Sequence, residues 1–144
     1  MALTVDLKAG ERIVIGDCVV TNADLRTRLM IEGDVVVLHE KDILTPEKTD
    51  TPAKRVYFAV QLMYTSKDQR AHHEVYFTLI RDILQAAPSM WPYIDNINNH
   101  ILMGEMYNAL KEAGKLVAYE RELIDNANGR TSVRHDSEAD RKSA

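Results

Sequence analysis

The strongest constraint in this sequence is a change of period. Through residue 39 the apolar side chains recur every second position or in short runs, and from Thr51 they recur at helical spacing. Leu3, Val5 and Leu7 alternate with Thr4, Asp6 and Lys8, as a half-buried strand requires. Gly10 turns the chain into Arg12–Ile15, and Gly16-Asp17 makes a second corner before Cys18–Thr21. Asn22, Ala23 and Asp24 read as a turn, because Asn and Asp bond their own backbone readily. Beyond it, Leu25, Thr27, Leu29 and Ile31 alternate with Arg26, Arg28 and Met30, which places both arginines on one strand face. Gly33-Asp34 turns once more into Val35–His39. Five short strands with tight corners predict an antiparallel meander or small barrel-like sheet over residues 1–44.

So small a sheet buries little surface alone and is expected to pair with a partner or pack on the helices. Residues 45–52 read as a linker with two Thr-Pro steps, the second a helix start with Thr51 as N-cap and Pro52 at the first position. Residues 53–124 read as four helices in a layer or bundle, so the fold class is α+β. Val56, Ala59, Val60, Met63 and Tyr64 mark the inner stripe of the first helix. The second is expected from about Asp68 to Ala87, with Val75, Leu79, Ile83 and Ala86 on one face and Tyr76, Ile80 and Leu84 beside it. Pro88 ends it and Ser89 is placed to cap the third, where Ile94, Ile97 and Ile101 repeat before Gly104. The fourth is expected over Glu105–Ile124, with Tyr107, Leu110, Gly114 and Val117 inward. Residues 125–144 offer almost nothing apolar to bury and read as a disordered tail.

Charge narrows the function. The chain of 144 residues has 22 acidic and 18 basic residues, a formal charge of −4. Its first 44 residues hold eight carboxylates and five bases, which is not the footprint of a strong non-specific nucleic-acid binder. Cys18, the single cysteine, excludes an intrachain disulfide and reads as a small core residue. No basic leader precedes an apolar stretch, and Ile83–Ile94 is too short and proline-broken to span a bilayer, so a cytoplasmic location is expected.

Chemistry is sparse. His72 and His73 are adjacent and point about 100° apart on a helix, so they do not chelate one ion together, and Glu74 completes no metal set. His100 has Asn98 and Asn99 nearby as hydrogen-bond partners, and His39 reads as a strand-edge residue. No phosphate loop, nucleophile elbow or carboxylate pair stands out, which predicts a protein without catalytic residues, metal or cofactor. Tyr57, Phe58, Tyr64, Tyr76 and Phe77 read first as core, with a partner groove or stacking platform as the functional reading. Trp91, between Met90 and Pro92 at a helix joint, is a candidate interface anchor, as is Tyr64.

Several unusual stretches occur in a telling order: "GERIVIGDCVVTN", "RTRLMIEGD", "HEKDILTPE", "TPAKRVYFAVQLMY", "AHHEVYF", "QAAP" and "YIDNINNHILMGEMYNALKEAGKLVAYE". Together they closely resemble the FlbT family of flagellum biosynthesis repressors over residues 1–123. That resemblance implies post-transcriptional control. The chain would associate with the 5′ untranslated region of flagellin mRNA, block its translation or promote its decay, and act beside the small protein FlaF. Some relatives support flagellin production instead.

"GERIVIGD" followed by "HEKDI" is also similar to the carbon storage regulator family, five-stranded translational repressors that dimerise by exchanging strands. This second resemblance implies a homodimer through the N-terminal sheet. In that family a basic pair before the Gly-Glu corner and an arginine near the last strand hold RNA. The matching positions here are Leu7, Lys8 and Glu40, so one base is kept, one is apolar and one is reversed in sign. The expected RNA surface therefore moves to Arg26 and Arg28, aided by Lys8, Arg12, Lys54 and Arg55. The competing expectation is a protein-interaction module whose helices bind FlaF or flagellin through Tyr64 and Trp91.

Overall fold

The computed structural model describes residues 2–16 and 18–129. Five strands, β1 (Ala2–Leu7), β2 (Arg12–Ile15), β3 (Cys18–Thr21), β4 (Thr27–Glu32) and β5 (Val37–His39), precede four helices. The helices are α1 (Pro52–Thr65), α2 (His73–Ala86), α3 (Trp91–Leu102) and α4 (Met106–Gly129). The α+β class expected from the change of period is the one observed.

The strands do not form one meander. β1 pairs antiparallel with β4, from Ala2↔Glu32 to Leu7↔Thr27, as a two-stranded ribbon. β2 lies between β3 and β5 in a separate antiparallel sheet. The reason lies in β2. Its four residues, Arg-Ile-Val-Ile, are apolar on both faces, so a single flat sheet would leave one face wet. In the fold, Ile13 is buried in a cluster with Val5 and Leu7 of the ribbon, against which Ile15, Val20, Leu29, Ile31 and Val37 pack. Val14 packs against the helical core, and its neighbour Leu38 is buried within that core. The molecule therefore has three layers: ribbon, central sheet, helices. The β unit shares its core with the helices.

β3 is an edge strand of the central sheet, and this overturns the expected burial of Cys18, which is exposed beside an exposed Val19. Gly16 turns β2 into β3 at φ +63, and a Cβ there would sit 3.0 Å from Val35 Cγ2. Both the left-handed backbone and the close approach call for glycine.

The segment between sheet and helices is anchored. Gln61 of α1 accepts from Leu44 N at 2.8 Å and donates to Leu44 O at 3.0 Å, so one side-chain amide substitutes for a strand neighbour. Pro46–Lys48 forms a 3-10 turn, and Thr51 caps α1 by accepting from Lys54 N, with Pro52 at the first position as its sequence predicts. A second cap comes from far away. Glu120 of α4, 6% exposed, accepts from Ala53 N at 2.9 Å through Oε2, placing a carboxylate at the positive end of α1.

α1 lies between α2 and α4, α3 packs on α4, and Tyr76 O–H donates to Asn98 Oδ1 at 2.7 Å to join α2 to α3. Three boundaries differ from expectation. Asp68 caps a 3-10 turn over Gln69–His72, so α2 starts at His73. Ser89 does not cap α3; it sits in a 3-10 turn, Pro88–Met90, and its Oγ accepts from Tyr119 O–H at 2.8 Å. α4 continues to Gly129, five residues past the expected end, and residues 130–144 of the expected tail lie outside the described residues. Its inner stripe is Met106, Ala109, Leu110, Ala113, Leu116 and Glu120, leaving Tyr107 exposed and Gly114 and Val117 half-buried. In α2 the buried stripe is Tyr76, Ile80 and Ile83, whereas Val75 is 58% exposed.

The Glu120 cap yields a measurable consequence. Glu120→Ala leaves the buried Ala53 N–H without an acceptor and is expected to cost about 1–3 kcal/mol in urea unfolding. Glu120→Gln keeps an acceptor oxygen and is expected to cost distinctly less.

Candidate functional site

The cations read from the sequence fall into two groups. Four flank one end of the β unit. Lys8 forms the corner after β1, where Lys8 N donates to Glu11 Oε1 at 2.8 Å. Asn22 closes this end: its Nδ2 lies 3.0, 2.9 and 2.7 Å from the carbonyls of Leu7, Lys8 and Leu25. Leu7↔Thr27 pairing brings Lys8 beside Arg26, and Arg12↔Thr21 pairing brings Arg12 to the same end. Arg26 lies one residue before β4, which starts at Thr27, so of the two arginines Arg28 is the one within the strand. Lys54 and Arg55 are on α1 and look onto different surfaces, Lys54 onto the cleft beneath Lys41–Leu44 and Arg55 onto a groove beside α2.

Carboxylates answer half of these charges. Arg12 Nε is 3.2 Å from Glu40 Oε1, Arg28 Nε is 3.0 Å from Asp6 Oδ1 directly across the ribbon, and Lys54 Nζ is 3.2 Å from Asp50 Oδ1. The Lys54 ammonium, chiefly by its hydrogen bond, holds the Asp50 carboxyl below the usual carboxylate value. All three pairs are solvent-exposed to a degree that makes each worth little to stability. Their effect is on the surface potential, which they flatten.

The aromatic residues divide by burial. Tyr76 is core, with Phe77 edge-on to it at 5.2 Å and half exposed. Tyr57 O–H donates to Asp42 O at 2.6 Å. Tyr64 is half-buried, its ring tilted against Tyr107 at 5.9 Å. Trp91 is 49% exposed at the head of α3, near the Ser89–Tyr119 hydrogen bond. Tyr107 and Tyr119 mark positions roughly 18 Å apart along α4, so Tyr64 and Trp91 stand at separate places and form no single anchor site.

Among the described residues no three His, Cys, Asp or Glu are grouped to hold a metal ion. His100 Nδ1 lies 2.9 Å from Glu105 Oε1, which corrects the expected Asn98 and Asn99 partners; Asn98 instead accepts from Tyr76. Two buried polar atoms, Asp42 Oδ2 and His73 Nε2, lack hydrogen-bond partners among the described residues. No helix among them is long and apolar enough to cross a membrane.

Sequence reading missed one feature. Phe58, Ala59 and Leu62 of α1 and Val75 and Leu79 of α2 line an apolar groove of about 280 Å³, with Thr49, Arg55 and His72 completing its wall. Its signal was present in the two neighbouring apolar stripes of α2, an arc wider than one helix–helix contact covers.

Comparison with known proteins agrees with the resemblance in the motifs. The family described as "Flagellar protein FlbT" matches residues 3–124. The chain belongs to the FlbT family. It is 58% identical over 124 residues to a Bradyrhizobium diazoefficiens protein named "Probable flagellum biosynthesis repressor protein FlbT 1", covering 85% of each chain. A Rhodopseudomonas palustris relative, "Probable flagellum biosynthesis repressor protein FlbT", is 47% identical over 86% of this chain and 98% of its own. A Caulobacter vibrioides protein, "Flagellum biosynthesis repressor protein FlbT", is 31% identical over 95% of this chain and 99% of its own. No solved structure matches.

The phenols give this region a pH signature. Burial, then the nearby Asp42 carboxylate and Tyr107, push Tyr57 up to about 12. Burial likewise raises Tyr64 and Tyr76. The folded chain thus holds these protons more tightly than the unfolded chain, whose phenols ionise near 10. For Tyr57 this stabilisation is complete below pH ~10 and is lost as pH rises through about 12, and Tyr64 and Tyr76 act in the same direction. Ultraviolet titration is expected to show these three phenols ionising late, and stability is expected to fall over the same window.

Proposed function

We propose that this chain represses flagellum biosynthesis after transcription, by associating in the cytoplasm with the 5′ untranslated region of flagellin mRNA. Holding the leader there blocks translation or exposes the message to decay. The observation that carries the repressor role is the strong similarity to relatives named flagellum biosynthesis repressors, extending across the β unit and helices together. Lys8, Arg12, Arg26 and Arg28 at one end of the β unit support the RNA surface, with Lys54 and Arg55 as auxiliary contacts. Holding RNA uses phosphate contacts, stacking and base-edge hydrogen bonds, so the function requires no cofactor. The role is regulatory and assigns no catalytic residue.

The dimer implied by the second resemblance finds support in the ribbon, where β1 and β4 pair only with each other among the described residues and leave two outer edges open. A second copy pairing along such an edge would complete the sheet.

One observation favours a different reading. Arg12, Arg28 and Lys54 are already neutralised, while α1 and α2 present an apolar groove. In that reading the helical layer binds FlaF or flagellin, and the effect on mRNA is indirect.

A gel-shift assay separates the two, using a flagellin leader and a scrambled leader at two salt concentrations. The RNA reading expects preference for the leader, a steep loss with salt, and at least tenfold weaker binding by the Arg26→Glu/Arg28→Glu double variant. Equally weak binding to both RNAs, unchanged by the double variant, overturns it.

A further inference from the structure

We propose that the groove between α1 and α2 receives an amphipathic helix of a protein partner, one whose apolar face is flanked by carboxylates. This deepens the second reading above, on which it rests, and stands if the RNA reading falls.

The shape fits a helix. The wall runs from Arg55 to Leu62 on α1 and from His72, just before α2, to Leu79 on it, about two turns or roughly 10 Å. A trough of that length admits side chains at i, i+4 and i+7 of a docked helix. Its floor is apolar: Phe58, Ala59 and Leu62 face Val75 and Leu79. Val75 is 58% exposed, although every neighbouring helix has already packed on α2. The core covers the Tyr76–Ile80–Ile83 stripe and leaves the Val75–Leu79 flank open.

Charge selects the partner. The chain is acidic as a whole, with a formal charge of −4, yet from Lys48 to Asp82 it carries six cations against four carboxylates. Two of those four are engaged: Asp50 with Lys54, and Asp68 with Arg70 N. Glu74 and Asp82 are exposed on α2. Arg55 and His72 both line the groove; Arg55 makes no ion pair among the described residues, its charge reaching Asp50 more weakly than that of Lys54 does. Arg55 sits in the first turn of α1 and His72 just before the first turn of α2, so the two come from different walls of the trough. Carboxylates on a docked helix would meet Arg55 directly and His72 as a hydrogen-bond donor. The chain's own C-terminal segment is a poor candidate: residues 130–144 contain one branched aliphatic residue, Val133.

The test uses the full-length chain and short fluorescent helical peptides, read by anisotropy. One peptide carries leucines at i, i+4 and i+7 flanked by glutamates, the second carries lysines in their place, and the third has serines for leucines. The glutamate peptide is expected to bind at least tenfold more tightly than either control. Val75→Asp and Arg55→Glu, both at exposed positions and checked for an unchanged thermal transition, are each expected to weaken it at least tenfold. No binding of the glutamate peptide, equal binding of the lysine peptide, or full binding by Val75→Asp overturns the proposal. So does a doubled mass in light scattering that Val75→Asp abolishes, which assigns the groove to a second copy. Leader RNA is expected to shift equally with the wild type and Val75→Asp. Parallel loss of RNA binding places the groove in an RNA surface and overturns the proposal.

Discussion

Everything in this fold depends on a four-residue strand that must be covered from both sides. β2 is apolar on each face, and the chain on either side of it supplies the two covers. The β1–β4 ribbon closes over Ile13, and the helices close over Val14 and, through β5, over Leu38. The ribbon's own cluster holds only three buried residues, Val5, Leu7 and Ile13, too few to support an independent domain. The helical core is the larger partner, and Leu38 joins the sheet to it. Two polar devices then fix the geometry: Gln61 holds the segment at Leu44, and Glu120 ties α4 to the start of α1.

This arrangement gives the protein two kinds of surface. The end of the β unit latched by Asn22 is polar and of mixed charge, with Arg12 paired to Glu40 and Arg28 to Asp6. Such a surface disfavours tight non-specific attachment to phosphate and leaves any RNA recognition to geometry. The flank of α1 and α2 is the reverse, apolar and edged by Arg55 and His72. Separate layers carry these two surfaces, the polar one on the β unit and the apolar one on the helices. The cores of these layers touch through β2 and β5, which offers a physical route for coupling them.

Much of the fold was legible because period and corners are local properties. The alternating burial of Val5 and Leu7 (though not of Leu3, which is exposed), the left-handed Gly10, Gly16 and Gly33, and the Thr51-Pro52 helix start all appear where the sequence places them. What was not legible depended on partners distant in sequence. Strand pairing was misread because Arg12–Ile15 does not announce which face meets a ribbon and which meets helices. Cys18 was misplaced because an apolar run at a sheet edge looks like one at its centre. In α2 the choice between Val75–Leu79 and Tyr76–Ile80 rests on where α1 and α3 stand, which no local pattern contains. The candidate site was legible only as residue types: the sequence offered Arg12, Arg28 and Lys54 as candidates, but their carboxylate partners at 28, 22 and 4 residues' separation emerge from the fold. The α1–α2 groove is likewise a product of packing.

Native-state amide hydrogen exchange tests the shared core most directly. If β2 is held between ribbon and helices, the amides of Val14 and Ile15 open with the same free energy, and the same urea dependence, as the interior amides of α1 around Val60. Exchange of the β2 amides through a separate, lower-energy opening while α1 stays protected would show a β unit that merely rests on the helices, and would contradict the three-layer account.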